Sequence, residues 1–204
     1  MRNLLLFFFC SLSITLQAQT YKDSIAVFRK KYKEDFLTDA RSPLKAEDTS
    51  FLRFYPADHN YCFLVDFKET PDTKPFDMPT HSGKIKHFRQ YGIFTFKLHG
   101  KKCTLHLYQP LDLIAKDSNK YKNDLFIPFT DETNYKETFG GGRYIDMVIQ
   151  DIKDNKATLD FNKCYNPYCA FKGGYSCPIP PKENSLSIAV KAGEKLFGKK
   201  PKED

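Results

Sequence analysis

The segment YGIFTFKLHGKKCTLHLY, residues 91–108, decides the fold class of this chain. Apolar side chains occupy every second position on both sides of Gly100: Phe94, Phe96, Leu98, Cys103, Leu105 and Leu107. A period of two is typical of a β-strand with one buried face, because successive side chains of a strand point to opposite sides. Two such runs joined by a short glycine-containing link predict a β-hairpin.

Other short apolar runs predict further strands, at residues 51–55, 61–67, 125–129, 144–150 and 157–161. The pair Asp154-Asn155 separates the last two runs and is typical of a hairpin turn. Residues 69–83 and 110–123 are polar and are predicted to be long loops. About seven short strands joined by hairpins predict an α+β fold dominated by β-structure, in which an antiparallel sheet curls into a barrel or sandwich.

Helices are predicted only near the two ends of the chain. Apolar residues recur at helical spacing within residues 21–38: Ile25, Phe28, Tyr32 and Phe36. This spacing predicts an amphipathic helix that ends before Ser42-Pro43, since the residue before a proline avoids helical geometry. A second, short helix is predicted at residues 185–197. No repeat or linker divides the chain, so residues 19–204 are predicted to form a single domain.

Residues 1–18 have the pattern of a secretory signal. Arg2 precedes an apolar run over residues 4–10, and Ala18 supplies a small residue for cleavage. The apolar run is shorter than the roughly 20 residues that a membrane-spanning helix needs, and no later segment is apolar enough to span a membrane. The sequence therefore predicts an exported protein, periplasmic or secreted.

The charge of the chain is modestly positive, with 32 basic and 25 acidic residues and a formal net charge of +7. Lysines and acids are interspersed, and no nucleic-acid-binding motif is present, so the basic residues are interpreted as solvated surface. The sequence also lacks the motifs of phosphate-binding loops, zinc proteases and serine hydrolases. No cofactor is predicted, and the oligomeric state is left open.

Several motifs follow one another in the last third of the chain: PFTDETNYKETFGGGRYID at 128–146, LDFNKCYNPYCAF at 159–171, CPIPPKENSL at 177–186 and KAGEK at 191–195. In this order they resemble the bacterial and archaeal family called domain of unknown function 1684. Weaker agreement extends upstream to Ser42-Pro43-Leu44, so the resemblance covers nearly all of the chain after the leader. The family has no established activity, so the resemblance implies no catalytic residue or cofactor.

The cysteines allow two interpretations. Cys169 and Cys177 enclose a short loop, and in an oxidising compartment the pair predicts a disulfide. A metal site would add Cys164 and a histidine, but structural zinc sites prefer more closely spaced pairs of cysteines, so no metal is predicted. Cys62 and Cys103 lie among apolar neighbours of predicted strands and are interpreted as core thiols.

The run Gly140-Gly141-Gly142-Arg143 also has a functional and a structural interpretation. Three glycines permit a backbone nest for an anion, and the Arg143 guanidinium suits a carboxylate or phosphate. The structural alternative is a glycine-rich turn in which Arg143 forms an ion pair with Asp131, Glu137 or Asp160.

The leading functional hypothesis is a pocket for a small anionic ligand, formed by the 131–144 turn and the 160–184 segment. Arg143 would hold the anion, and the hydrogen-bonding groups would come from four residues: Asp160, Asn162, Tyr165 and Asn166. One alternative is a hydrolase or other acid–base enzyme whose candidate catalytic residues are Asp131, Glu137 and Asp160. Another is a structural or partner-binding module of the cell envelope. Two of the three carboxyl groups opening onto one cleft would favour the enzyme.

Overall fold

A curled antiparallel sheet forms the body of the protein in the computed structural model, which describes residues 2–199, with side chains from residue 19 on. Its strands are β1 Cys62–Glu69, β2 Phe76–Pro79, β3 Ile85–Leu98, β4 Lys101–Pro110, β5 Asp124–Phe129, β6 Arg143–Val148 and β7 Lys156–Asp160. They follow the order β6-β5-β4-β3-β1-β7, and β2 pairs with β3 outside this path. The sheet is a half-barrel with β6 and β7 as its edges, which confirms the predicted β-dominated α+β fold.

The predicted hairpin at residues 91–108 is confirmed as the pair β3–β4. The register places Phe94 opposite Leu105 and Phe96 opposite Cys103. These side chains are buried on the concave face, where Phe94 and Leu105 are 0% exposed. His99 and Gly100 turn the chain with positive φ angles of 47° and 80°, as the tight turns of hairpins require.

The helix predicted at residues 185–197 is not found, because this segment is extended. Its buried side chains alternate: Leu186, Ile188, Val190 and Ala192. The amide of Leu186 donates to the carbonyl of Thr130 at 2.8 Å, which fixes the segment beside β5. A helix would point these alternate residues in different directions, whereas an extended chain delivers all of them to the open side of the half-barrel core. The segment therefore seals the core.

Several predicted boundaries also change. Residues 51–55 do not form a strand, since the 3-10 helix Ala46–Phe51 is followed by a single bridge at Phe54. The loop predicted at 69–83 contains β2. Only Met78 of this strand is buried, so the strand lacks the alternation of apolar residues that would have predicted it. The loop predicted at 110–123 contains the short helices α2 Leu111–Lys116 and α3 Ser118–Tyr121.

The N-terminal helix, α1 Arg2–Thr38, ends before Ser42-Pro43 as predicted. Ile25 and Phe36 are buried against the body of the protein, and the Tyr21 hydroxyl donates to Asp160 of β7 at 2.9 Å. The leader predicted at residues 1–18 lies outside the described side chains and stays a prediction. No helix within the described residues is both long enough and apolar enough to cross a membrane.

Between β7 and residue 185 the chain forms three 3-10 turns, Phe161–Lys163, Tyr168–Ala170 and Lys182–Asn184. Within this stretch, residues 165–178 fold back over the outer, convex face of the sheet. The predicted disulfide between Cys169 and Cys177 is present, with the two Cα atoms 6.3 Å apart. It closes the loop that covers part of this outer face.

Candidate functional site

Arg143, the residue on which the predicted ligand pocket depends, is buried inside the half-barrel and is 0% exposed. Its Nη2 atom donates to the Asp131 carboxylate at 2.7 Å and to the carbonyl of Val190 at 2.8 Å. Its Nη1 atom donates to the carbonyls of Ala192 and Glu194. Because carbonyls at alternate positions of an extended chain point the same way, one guanidinium holds the C-terminal segment in place. This geometry favours the structural alternative, and Arg143 has no open surface on which to meet an anion.

The three candidate acids do not meet in one cleft. Asp131 is buried against Arg143 and also accepts from the amide of Val190 at 3.1 Å. Glu137 lies at the surface, 3.1 Å from Lys191 Nζ, and its pKa is lowered chiefly by that bond. Asp160 accepts from the Tyr21 hydroxyl and caps the turn that follows β7. Only Asp160 lines a cleft, so the criterion for an enzyme built on these acids is not met.

Asn162 and Asn166 satisfy buried backbone groups. The Asn162 amide accepts from the backbone of Asp58 at 2.9 Å and donates back to it at 2.8 Å. The Asn166 amide donates to the carbonyl of Lys195 at 2.8 Å. Such side chains replace the missing partners of an irregular segment. Both residues are almost fully buried and act as ties between loops.

Among the predicted ligand-binding residues, Asp160 lines one of two clefts in the structure and Arg143, Asn162 and Asn166 line neither, so only Tyr165 lines both. Its backbone pairs with Tyr144 at the free edge of β6, through bonds of 2.9 and 3.0 Å. This pairing puts both rings on the outer face of the sheet, where their centroids are 5.8 Å apart. The Tyr165 hydroxyl then reaches two residues along β6 and donates to the Asp146 carboxylate at 2.6 Å.

Asp146 lies where two clefts adjoin. The helix-side cleft, of about 770 Å³, runs between α1 and the edge strands β6 and β7. The loop-side cleft, of about 920 Å³, runs between the outer face of β5–β6 and the disulfide-closed loop. The two clefts share five lining residues: Asp146, Met147, Asp151, Tyr165 and Tyr168. Clefts of this size accommodate small molecules.

Aromatic rings form part of the walls of both clefts. The helix-side wall contributes Phe28, Tyr32 and Phe36. The loop-side wall contributes Phe88, Phe126, Tyr144 and Tyr175. The clefts therefore combine aromatic rings with charged side chains, and small-molecule sites likewise combine apolar surface with a few polar groups.

The Asp146 carboxyl group is open to solvent yet surrounded by protein on several sides. Loss of hydration raises its pKa to about 6, and the hydrogen bond from Tyr165 opposes that rise. Asp124 raises the pKa further, since the register of β5 and β6 makes the two acids diagonal neighbours on the outer face. Among the described residues, no lysine, arginine or histidine forms an ion pair with Asp146. Tyr165 is thus its only hydrogen-bond donor within the chain as described.

Five basic residues line the two clefts: Lys31, Arg41, Lys86, Lys153 and Lys163. Lys31 of α1 is ion-paired with Asp35 at 2.7 Å, and Arg41 lies 3.5 Å from Asp39. Lys163 lies over the ring of Phe28, 5.8 Å from its centroid. Among the described residues, none of the five forms an ion pair with Asp146.

Sequence reasoning did not single out Asp146. Residues 144–150 were predicted as a strand, in which an outward-facing acid is an ordinary surface residue. Only the return of residues 165–178 over β6 encloses it, and this contact joins parts of the chain that are distant in sequence. Within the described residues, no three histidine, cysteine, aspartate or glutamate side chains are grouped as a metal site requires.

Comparisons with known proteins identify a family but no activity. A family model described as "Protein of unknown function (DUF1684)" matches residues 49–195. The chain is similar to an uncharacterized protein of Haloarcula marismortui whose structure was solved by solution NMR. The two share 25% sequence identity and a TM-score of 0.65, over 88% of this chain and 96% of the other. No curated protein matches the sequence.

Proposed function

This chain belongs to the DUF1684 family, and since that family's description gives no activity, we propose a function from the clefts themselves: the protein binds a small molecule at Asp146. The observation that carries the proposal is the Asp146 carboxyl group, which has no ion-pair partner among the described residues and lies in the floor shared by two clefts with partly aromatic walls. The apolar body of the ligand lies against the rings. A polar group of the ligand meets Asp146 and the Tyr165 hydroxyl.

Asp146 is exposed in the floor of the clefts and accepts a hydrogen bond from the Tyr165 hydroxyl. An ionised carboxylate has two acceptor oxygens, so it can also accept hydrogen bonds from a ligand. The proposed ligand is therefore one that donates a hydrogen bond to a carboxylate, and it is not the anion that the sequence predicted at Arg143.

We also propose that the protein is exported, as its leader predicts. A disulfide between Cys169 and Cys177 supports this, because such bonds persist mainly in oxidising compartments. The intact mass of the protein from the periplasmic fraction tests the proposal. We expect the mature chain to begin after Ala18, and a full-length chain confined to the cytoplasm would contradict export.

Retention of a ligand tests the binding function. Protein purified from its native cells is compared by mass spectrometry under native and denaturing conditions. We expect an extra mass in the native spectrum that is lost on denaturation. The variant Asp146→Trp fills the floor of the clefts and should lose this mass while its circular dichroism spectrum stays unchanged.

Leu64→Trp is the matched control. Leu64 is 62% exposed on β1 and lines neither cleft, so the same added bulk should leave the retained mass in place. The absence of any retained mass, together with no shift of Tyr165 or Tyr168 NMR signals on addition of a fragment library, would contradict small-molecule binding.

A second function, proton transfer to or from the bound molecule, is favoured by one observation. The pKa of Asp146 is raised to about 6 by loss of hydration, and general acids and bases work best when their pKa lies near the operating pH. Asp146→Asn would then trap the unreacted molecule, so the variant should retain a different mass from the wild type. The same retained mass in both proteins would contradict catalysis and leave binding as the function.

A further inference from the structure

The charge around Asp146 indicates what kind of group the clefts accept. We infer that the ligand presents an organic cation, a protonated amine or quaternary ammonium on an apolar body, to the Asp146 carboxylate. This inference rests on the proposed binding function and adds the chemical class of the ligand. Three independent features of the clefts support it: the missing counter-ion, the sign of the neighbouring charges and the aromatic rings.

The first feature is the missing counter-ion. The Tyr165 hydroxyl donates to Oδ2 of Asp146, and no basic side chain among the described residues pairs with either oxygen. Two buried acids have such a partner, Asp131 with Arg143 at 2.7 Å and Asp48 with Lys199 at 3.0 Å, whereas the buried Glu194 accepts hydrogen bonds from Tyr32 and Asn166. Asp146 differs from all three because it is exposed in the floor of the clefts, where its oxygens are open to a charged group from outside.

The second feature is the sign of the nearest charges on the same face. Asp124 lies diagonally across the β5–β6 register and raises the pKa of Asp146. Asp151 follows β6 and lines both clefts. An anionic ligand at Asp146 would meet the carboxylates of Asp146 and Asp124, which is unfavourable. A cation relieves their mutual repulsion.

The third feature is the set of tyrosine rings that line the loop-side cleft together with Asp146. Tyr165, Tyr168 and Tyr175 are each partly exposed and line the loop-side cleft. The rings of Tyr168 and Tyr175 are nearly perpendicular, with centroids 5.3 Å apart, so they form two walls of a corner. Cations are attracted to aromatic faces, and aromatic corners beside a carboxylate are a common way to bind ammonium groups.

Three probes that share a phenyl ring and differ in charge test the inference: benzyltrimethylammonium, benzyl alcohol and benzenesulfonate. Binding is followed through the NMR signals of the Tyr165, Tyr168 and Tyr175 rings at pH 7.5. We expect the cation to shift these signals at concentrations at least about tenfold lower than either other probe, as a partly desolvated charge contact and cation–π contacts allow.

Asp146→Asn keeps the shape of the side chain and removes its charge, and it should weaken binding of benzyltrimethylammonium by about tenfold or more. Asp66→Asn is the control, since Asp66 is an exposed acid of β1 that lines neither cleft. This substitution also removes one negative charge, and it should leave the affinity for benzyltrimethylammonium unchanged.

The outcomes separate this inference from the proposed function. Preferential binding of benzyl alcohol or benzenesulfonate to the same rings would contradict the inference of a cationic ligand, but it would still support a binding cleft. Equal affinity of the cation for the wild type and Asp146→Asn would also overturn it. If no probe of any charge shifts the tyrosine signals, the inference fails and the clefts lose their role as a binding site as well.

Discussion

Arg143 and Asp146 lie three residues apart on β6 and have opposite surroundings. Arg143 points into the half-barrel, is fully buried, and donates to one carboxylate and three backbone carbonyls. Asp146 points outward into a cleft, where Tyr165 is its only hydrogen-bond donor within the part of the chain that the structure describes. The Arg143 charge thus has several partners, whereas the Asp146 charge has no counter-ion in that same part of the chain.

This difference separates a charge that maintains the fold from one that is available to a ligand. A buried ion pair needs partners in fixed positions, since an uncompensated charge in the interior costs several kcal/mol. A binding residue needs the reverse, an interaction that is completed only when the ligand arrives. The two residues belong to one motif, so their proximity in sequence says nothing about which role each one has.

The largest expected effect on stability comes from Arg143, the buried residue of the two. Arg143→Met should lower the free energy of unfolding by about 3–5 kcal/mol, because Asp131 is left as an unpaired buried charge and three carbonyls lose their donor. Chemical denaturation followed by circular dichroism measures the change. The double variant Arg143→Met/Asp131→Asn should recover part of the loss, and a single variant as stable as the wild type would contradict the anchoring role.

The disulfide gives the next largest effect. The double variant Cys169→Ser/Cys177→Ser should lower the free energy of unfolding by about 2–3 kcal/mol, from the loop-closure entropy of a short loop. Denaturation under non-reducing conditions measures it. The Arg143–Asp131 pair lies on the inner face of the sheet and this loop covers the outer face, so a second change at the pair should add to the first. Strong non-additivity would show that the two regions are coupled.

Asp146→Asn should stabilise the protein slightly at neutral pH. The pKa of Asp146 is about 6 in the folded state and about 3.9 when unfolded, so its ionisation destabilises the fold as pH rises from about 4 to 6. We expect a gain of up to about 1 kcal/mol at pH 7.5, after solvent screening in an open cleft, and almost none at pH 4. Thermal melts at both pH values test this, and a loss of stability at pH 7.5 would make Asp146 a structural residue.

The smallest expected effect comes from Tyr165→Phe, which removes one hydroxyl. The hydrogen bond from Tyr165 favours the ionised carboxylate, so its loss should raise the pKa of Asp146 above about 6. An NMR titration of the Asp146 side-chain carbon measures the shift. Tyr135→Phe, at a ring that is 85% exposed, is the control and should leave the titration unchanged.

Local patterns in the sequence predicted the features that local physics determines. The alternation in residues 91–108 gave the hairpin, the spacing of Ile25 and Phe36 gave the helix, and the position of Cys169 and Cys177 gave the disulfide. The same patterning was present but misinterpreted at residues 185–197. There Leu186, Ile188, Val190 and Ala192 alternate as in a strand, and the prediction of a helix was wrong for that reason.

Local sequence patterns did not predict the candidate site. Arg143 drew attention because of its glycines, but its partners are carbonyls some fifty residues away, and backbone carbonyls leave no trace in a sequence. Asp146 becomes distinctive only when Tyr165 pairs with the edge of β6. Both roles are decided by long-range packing, which residue types at fixed spacings do not encode.

The order of the strands has one more consequence. β6 and β7 are the two ends of the sheet, with four strands between them, yet residues 149–155 alone connect them along the chain. Seven residues span at most about 25 Å, so the connection acts as a tether that keeps the sheet rolled up and holds both walls of the helix-side cleft together. Circular permutation at Asp154-Asn155 would cut that tether, free the two edges to separate, and open the cleft without altering any residue that lines it.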